Sequence, residues 1–185
     1  MQQLALDIPE IGLNASNKAQ MMRFDYDIPP LFYVARTLAN RVHKDQRDDG
    51  NNPYMQHVCT VVNTVASFYD PLITLTAMLH DTIERAEDRG WMARCIQRVF
   101  PQEVYVAVTL LTRITGERYD EHIARVIGGG RIPVVVKRAE ITDNLRGHRM
   151  PDPNEGQVLR MAQYRDAYLL LSMWWDNRFK EDIHV

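Results

Sequence analysis

The sequence predicts a single all-α domain. Three observations carry that expectation. Apolar residues recur at spacings of three and four through most of the chain, Pro and Gly fall between those stretches, and 185 residues at 45% hydrophobic content suffice for one sizeable core but not comfortably for two.

Residues 1–27 mix apolar residues with Pro9, Gly12 and Asn14 without a sustained period, and are expected to be an N-terminal extension of a domain spanning 28–185. After Pro29-Pro30, the segment LFYVARTLANRVHK sets Leu31, Val34, Leu38 and Val42 on one helical stripe that ends at His43. DQRDDGNNPY is rich in helix breakers, and QHVCTVVNTVASF then resumes a helical pattern. Asp70-Pro71 opens LITLTAMLHDTIERA. Its Leu, Ile and Thr content would also suit a strand, but its length and the closing Glu-Arg-Ala favour one buried helix. Further helices are expected at 91–99, 102–113, about 117–127, 133–146 and 156–178, giving a bundle of roughly seven. Gly128-Gly129-Gly130 reads as a flexible joint, because neither a preceding strand nor the Lys-Ser/Thr of a phosphate loop accompanies it.

Composition narrows the partners. A net charge of -2, from 22 basic and 24 acidic residues, provides no overall basic field, so no nucleic-acid partner is expected. Cys59 and Cys95 form no C-x-x-C pair and are expected as buried, reduced thiols. The N-terminus lacks the pattern of a secretion signal, and no apolar run approaches the roughly 18 residues of a membrane span, so a cytoplasmic protein without a membrane partner is expected. The tail LLLSMWWDNRF, with Leu169 to Leu171, Met173, Trp174 and Trp175, carries more apolar surface than one helix face needs. It is expected either to close the core or to supply a homodimer contact.

The chemistry gathers in MLHDTIERAED. On one continuous helix, Glu84 would lie a turn beyond His80 and Asp81 on the same face. An imidazole with a carboxylate can hold a divalent ion of the Mn, Fe or Zn kind, but one helical turn supplies too few ligands. His43 and His57 before the pair, and Glu140 and Asp143 after it, are the partners the sequence offers.

Several motifs stand in fixed order. They are H-x-x-Q-R-x-x-G-x-x-P-Y-x-x-H from His43 to His57, A-M-L-H-D-T-I-E from Ala77 to Glu84, P-Q-E-V and L-T-R, G-E-R-Y-D-E-H-I-A-R-V at 116–126, V-K-R-A-E-I-T-D-N-L at 136–145, and Y-R-D-A at 164–167. Together they resemble the small HD-domain phosphohydrolases related to the hydrolase half of the Rel/Spo stringent-response enzymes, the guanosine polyphosphate 3'-pyrophosphohydrolases. The resemblance covers about residues 35 to 171 and implies a compact HD-type helical bundle and a metal-dependent phosphohydrolase with a nucleotide substrate and Mn2+ as the ion.

It further implies His43, His80 and Asp81 as metal ligands, with Glu140 in the late position where the family usually has Asp, or Asp143 recruited in its place. Glu84 would orient or deprotonate the attacking water. Where the family tends to have a second carboxylate, this chain has Arg85, which either offers its guanidinium to a phosphate or faces solvent. Asn144 matches a nucleotide-holding asparagine, His57 a phosphate contact or a support behind the ligands, and Arg47 and Lys137 lead the candidate phosphate cations, ahead of Lys44 and Arg149. Two alternatives remain: an HD-domain nucleotide phosphatase or phosphodiesterase with another substrate, and a catalytically decayed nucleotide-binding protein, to which Arg85 and Glu140 point.

Overall fold

The computed structural model describes residues 28–149 and 151–179; the expected N-terminal extension lies outside them. Helix α1, Ile28–His43, begins on two prolines, whose fixed φ suits a first turn, and buries Leu31, Val34, Ala35, Leu38 and Ala39. A loop leads to α2, Tyr54–Val65, and a 3-10 turn, Ala66–Phe68. In that loop Gly50 is required by close approach: a Cβ there would lie 2.3 Å from the carbonyl oxygen of His148.

Helix α3, Pro71–Leu79, is the centre of the bundle. Asp70 caps it, Oδ1 accepting from the amides of Leu72 at 2.9 Å and Ile73 at 3.4 Å, with Pro71 in the first turn. Ile73, Leu75, Thr76, Ala77, Met78 and Leu79 are all buried, so the helix is enclosed on every side, touching α1, α2 and the later helices Gln102–Leu111 and Arg131–Asn144. Each fully buried Ile or Leu here contributes about 1.5–3 kcal/mol.

The single helix expected through Glu84 is broken. It stops at Leu79, and Thr82–Arg85 forms a separate turn, α4. Two side chains bond carbonyls of the last turn: His80 Nδ1 donates to the Ala77 oxygen at 2.8 Å and Thr82 Oγ1 to the Leu79 oxygen at 2.7 Å. Such back-bonding competes with the helical ladder and ends it at the His-Asp pair.

The chain continues through α5 (Arg89–Val99, capped by Asp88), α6 (Gln102–Leu111), α7 (Tyr119–Gly128), α8 (Arg131–Asn144), a 3-10 turn Gly147–Arg149 and α9 (Glu155–Phe179). Eight helices of two turns or more and the turn α4 are thus present among the described residues, with no named strand. The expected all-α class holds. The triple glycine is a packed corner instead of a flexible joint: a Cβ on Gly129 would meet Leu110 Cδ1 at 2.3 Å, and Gly130 takes the left-handed φ of 82° that turns the chain into α8.

One surface expectation needs amending. Cys95 is buried, but Cys59 is exposed, because the inward face of α2 is built from His57, Val58, Val61, Val62 and Val65. In α9, Leu171 and Ala167 close the core and Trp175 meets Phe68 edge-on at 5.5 Å, while Leu169, Leu170 and Met173 are exposed. No described helix is long and apolar enough to cross a membrane.

Candidate active site

The break between α3 and α4 puts Asp81 at the floor of a cleft of about 370 Å³, which Tyr54, Glu84, Arg85, Glu140 and Asn144 also line, with His80 buried beside it. His57 reaches the same floor from α2. Its Nδ1 faces Asp143 Oδ2 at 2.7 Å, and its Nε2 lies 3.2 Å from His80 Nε2. Since a carboxylate and a carbonyl only accept, both rings donate from Nδ1, and the two Nε2 atoms are left facing each other. Such a contact is tolerable only with a shared proton or a cation between the rings.

Asp81 Oδ2 stands 3.4 Å from His80 Nε2, and His57, His80 and Asp81 form the one group among the described residues whose ligand atoms all fall within 4.8 Å of each other. Two imidazoles and a carboxylate suit a divalent transition ion, so the donors fit what the sequence implies. Burial works against charge on His80, yet the Asp81 carboxylate beside it raises its pKa to about 9. Burial opposes ionisation of Asp81 too, but His80, His57 and Arg85 hold it well below the usual carboxylate range.

The supports of this floor come from distant segments. The Tyr54 hydroxyl donates to Asp81 Oδ2, and burial together with the Asp81 charge pushes the phenol pKa far up, so it remains a donor. Asp143 Oδ2 also accepts from Arg149 Nε at 2.8 Å, and Arg149 in turn donates to Asp48 Oδ2 at 2.7 Å, tying the glycine-containing loop to the histidine's partner.

The rest of the lining is arranged differently. The Arg85 guanidinium stacks 3.9 Å from the centre of the Tyr54 ring, with Nε 3.7 Å from Asp81 Oδ2, and its side chain is 41% exposed. Glu84 lines the cleft with Oε2 accepting from the Arg113 amide at 2.9 Å. Glu140 is bound at both oxygens by Lys137 Nζ, at 2.7 and 2.9 Å.

The structure brings together only part of the expected ligand set. His57, expected as a substrate contact, stands in the group with His80 and Asp81, while His43 and Glu140 lie outside it. The physical reason lies in α2, where Tyr54 and His57 are three residues apart on one face, so the tyrosine that holds Asp81 brings the imidazole with it. His43 is buried with its Nδ1 engaged by Gln46 Oε1 at 2.9 Å and its Nε2 without a hydrogen-bond partner, and burial, its leading influence, lowers its pKa. Glu140 is claimed by the lysine one turn earlier on α8.

Of the expected substrate contacts, Arg47, Lys137 and Asn144 all line the cleft, as do Arg113, Arg149 and Arg160. Lys44 instead borders a second hollow, between the end of α1 and the start of α5. Tyr119, Tyr164 and Arg113 were not singled out for the site by sequence reasoning, although each belongs to one of the ordered motifs.

An HD domain family model matches residues 35–146. No curated protein matches the chain. Among solved structures, one described as "A metazoan ortholog of SpoT hydrolyzes ppGpp and plays a role in starvation responses" is similar at a TM-score of 0.61 and 19% identity, over 80% of this chain and 95% of that one. At that identity the likeness is one of fold. With the family model spanning well over half of its length, the chain belongs to the HD-domain family and shares that family's class of chemistry, metal-dependent phosphohydrolysis.

Proposed function

We propose that this chain hydrolyses a phosphorylated nucleotide, a guanosine 3'-pyrophosphate of the (p)ppGpp type, with a divalent ion, Mn2+, held by His57, His80 and Asp81. The observation that carries the reading is the pair of Nε2 atoms 3.2 Å apart, each with its Nδ1 proton already directed elsewhere, at the floor of a cleft lined by cations. The ordered motifs and the similar fold of the metazoan ppGpp hydrolase support the choice of substrate. When bound, the ion supplies an acidified water and charge for the phosphoryl oxygens.

The chain's own residues do the rest. Asp81 is kept ionised by its neighbours and held in place by the Tyr54 hydroxyl. Asp143 fixes the tautomer and direction of His57. Glu84, steadied by the Arg113 amide, would orient the water or accept its proton as the water oxygen bonds to phosphorus and the bond from that phosphorus to the ribose 3'-oxygen breaks, releasing pyrophosphate and a 3'-hydroxyl protonated from solvent. Arg47, Arg85 and Arg113 meet phosphate charge, and Asn144 contacts the nucleotide.

The test is pyrophosphate release from guanosine tetraphosphate with and without Mn2+, for the wild type and for His80→Ala, Asp81→Ala and His57→Ala. Mn2+-dependent release that is lost in all three variants is the expected result. Release that survives in His57→Ala but not in the other two would return the third ligand to His43. A specific observation favours a second reading, a nucleotide-binding protein without turnover: Arg85 occupies the place of a second carboxylate and Lys137 engages Glu140. Tight nucleotide binding with no release from any phosphorylated nucleoside would select it.

A further inference from the structure

Helix α9 uses its two sides differently. Tyr164, Ala167, Tyr168, Leu171 and Trp175 pack on the bundle, while Leu169, Leu170 and Met173 are each more than half exposed. At 100° per residue these three fall within an arc of about 100°, so they form one apolar patch on the outer face and are not scattered surface residues. Arg165 and Asp176 stand together on one edge of that arc. Both are exposed, and neither has a hydrogen-bond or ion-pair partner among the described residues. Close to three turns separate them, about 16 Å along the axis, which is too far for them to pair within one chain. Their midpoint falls between Leu170 and Leu171, in the middle of the apolar patch.

A patch flanked at equal distances by opposite charges on one edge is its own complement. An antiparallel copy, related by a two-fold axis beside Leu170, sets Arg165 of each chain against Asp176 of the other, Leu170 against Leu170, and Leu169 against Met173. A partner of different sequence would not require charges placed symmetrically about the apolar centre. Between α7 and α9 a hollow of about 450 Å³, lined by Ile123, Gln163 and Asp166, runs up to Leu170, so the receiving surface extends beyond one helix. We infer that this face of α9 is the contact between two copies of the chain, an antiparallel helix pair closed at each end by an Arg165 to Asp176 ion pair. Arg160 and Tyr164, earlier on the same helix, line the cleft, so the pairing braces one side of the site while adding no residue to it. The pairing is independent of the proposed reaction.

Sedimentation equilibrium of the full chain, from about 1 to 100 μM so as to span micromolar association, tests it. The samples are the wild type, Leu170→Asp, Arg165→Asp, Asp176→Arg, and the double variant carrying Arg165→Asp with Asp176→Arg. All three positions are exposed in the single chain, so the variants keep the fold, and circular dichroism checks that they do. The wild type is expected to dimerise. Leu170→Asp, which puts two carboxylates at the two-fold axis, should weaken the dimer about a hundredfold or more. Each single charge reversal should weaken it about tenfold, because both ion pairs become repulsive, and the double variant should return to within about threefold of the wild type. A wild type that stays monomeric overturns the inference and leaves the patch to a different protein or to residues 1–27. A dimer undiminished in Leu170→Asp overturns the choice of face, and a double variant no better than the single ones overturns the antiparallel pairing.

Discussion

The floor and the walls of the cleft are built from the same kinds of residues but are satisfied in different ways. On the floor, the two imidazoles are fixed from behind: His57 and His80 donate from Nδ1 to Asp143 and to the Ala77 carbonyl, and their Nε2 atoms face each other. On the wall, charges are matched with their neighbours: Lys137 with Glu140, and Arg85 with Asp81 and the Tyr54 ring. The difference teaches where each takes its rigidity. The floor's imidazoles are each fixed by a partner behind them, whereas the charges of the wall are already paired with other protein groups.

The strongest way to break this contrast is to remove a support from the floor without touching a ligand. In Asp143→Ala, His57 and Arg149 both lose the oxygen they share. Mn2+ affinity is expected to fall about 10- to 100-fold, the usual consequence of losing the partner of a ligating histidine. Unfolding stability should fall as well, by about 1–3 kcal/mol for buried donors left unsatisfied. Titration of Mn2+ together with urea denaturation measures both, and an unchanged Mn2+ affinity would mean that His57 does not hold the ion.

A smaller effect is expected at the wall. Arg85 brings a cation 3.7 Å from Asp81 while exposing 41% of its side chain to the cleft and solvent. Arg85→Ala should therefore bind Mn2+ slightly more tightly and nucleotide more weakly, the latter by a few-fold, matching about 0.5–1 kcal/mol for an exposed stacked cation. The split is the diagnostic: a raised KM alongside improved ion affinity marks a phosphate contact, and no change in either marks a solvent-facing residue.

How much of this was legible in the sequence follows from the range of the forces involved. Helices such as α1 were readable because Leu31, Val34 and Leu38 repeat with the helical period, and the His80-Asp81 pair because its motif is local. The interruption after Leu79 was not, since it depends on two side chains bonding back to carbonyls in a segment whose composition suits a continuous helix. Lys137 and Glu140 stand three apart, a spacing equally suited to an ion pair on one helix and to two functional residues on one face, so only the fold separates the cases. The Asp143 contact to His57 spans 86 residues of chain and belongs to tertiary packing alone. Cys59 was misplaced because α2 is apolar over more of its circumference than it buries.

The smallest effect separates two histidines that are buried equally but surrounded differently. Asp81 raises His80 to about 9, whereas burial, with Lys137 and Arg125 behind it, lowers His122 to about 3. Arg125 Nη2 lies 3.1 Å from His122 Nδ1 and can only donate, which accounts for a neutral ring. The signs differ accordingly. The contribution of His80 is complete below its unfolded value, near 6.5, and is lost as pH rises through about 9. His122 acts in the acid range: below about 6.5 the unfolded chain takes up a proton that the folded chain refuses until about 3, so stability falls with pH by up to about 1.4 kcal/mol per unit. Glu117, held near 2 chiefly by its hydrogen bond from Arg125, adds its own loss only below its ordinary value of 4.5. Between pH 6.5 and 4.5 a His122→Gln variant should therefore show a flatter urea-stability profile than the wild type by close to one proton. Parallel profiles would mean that the His122 ring takes its proton within the folded bundle, and that Lys137 and Arg125 do not set its charge.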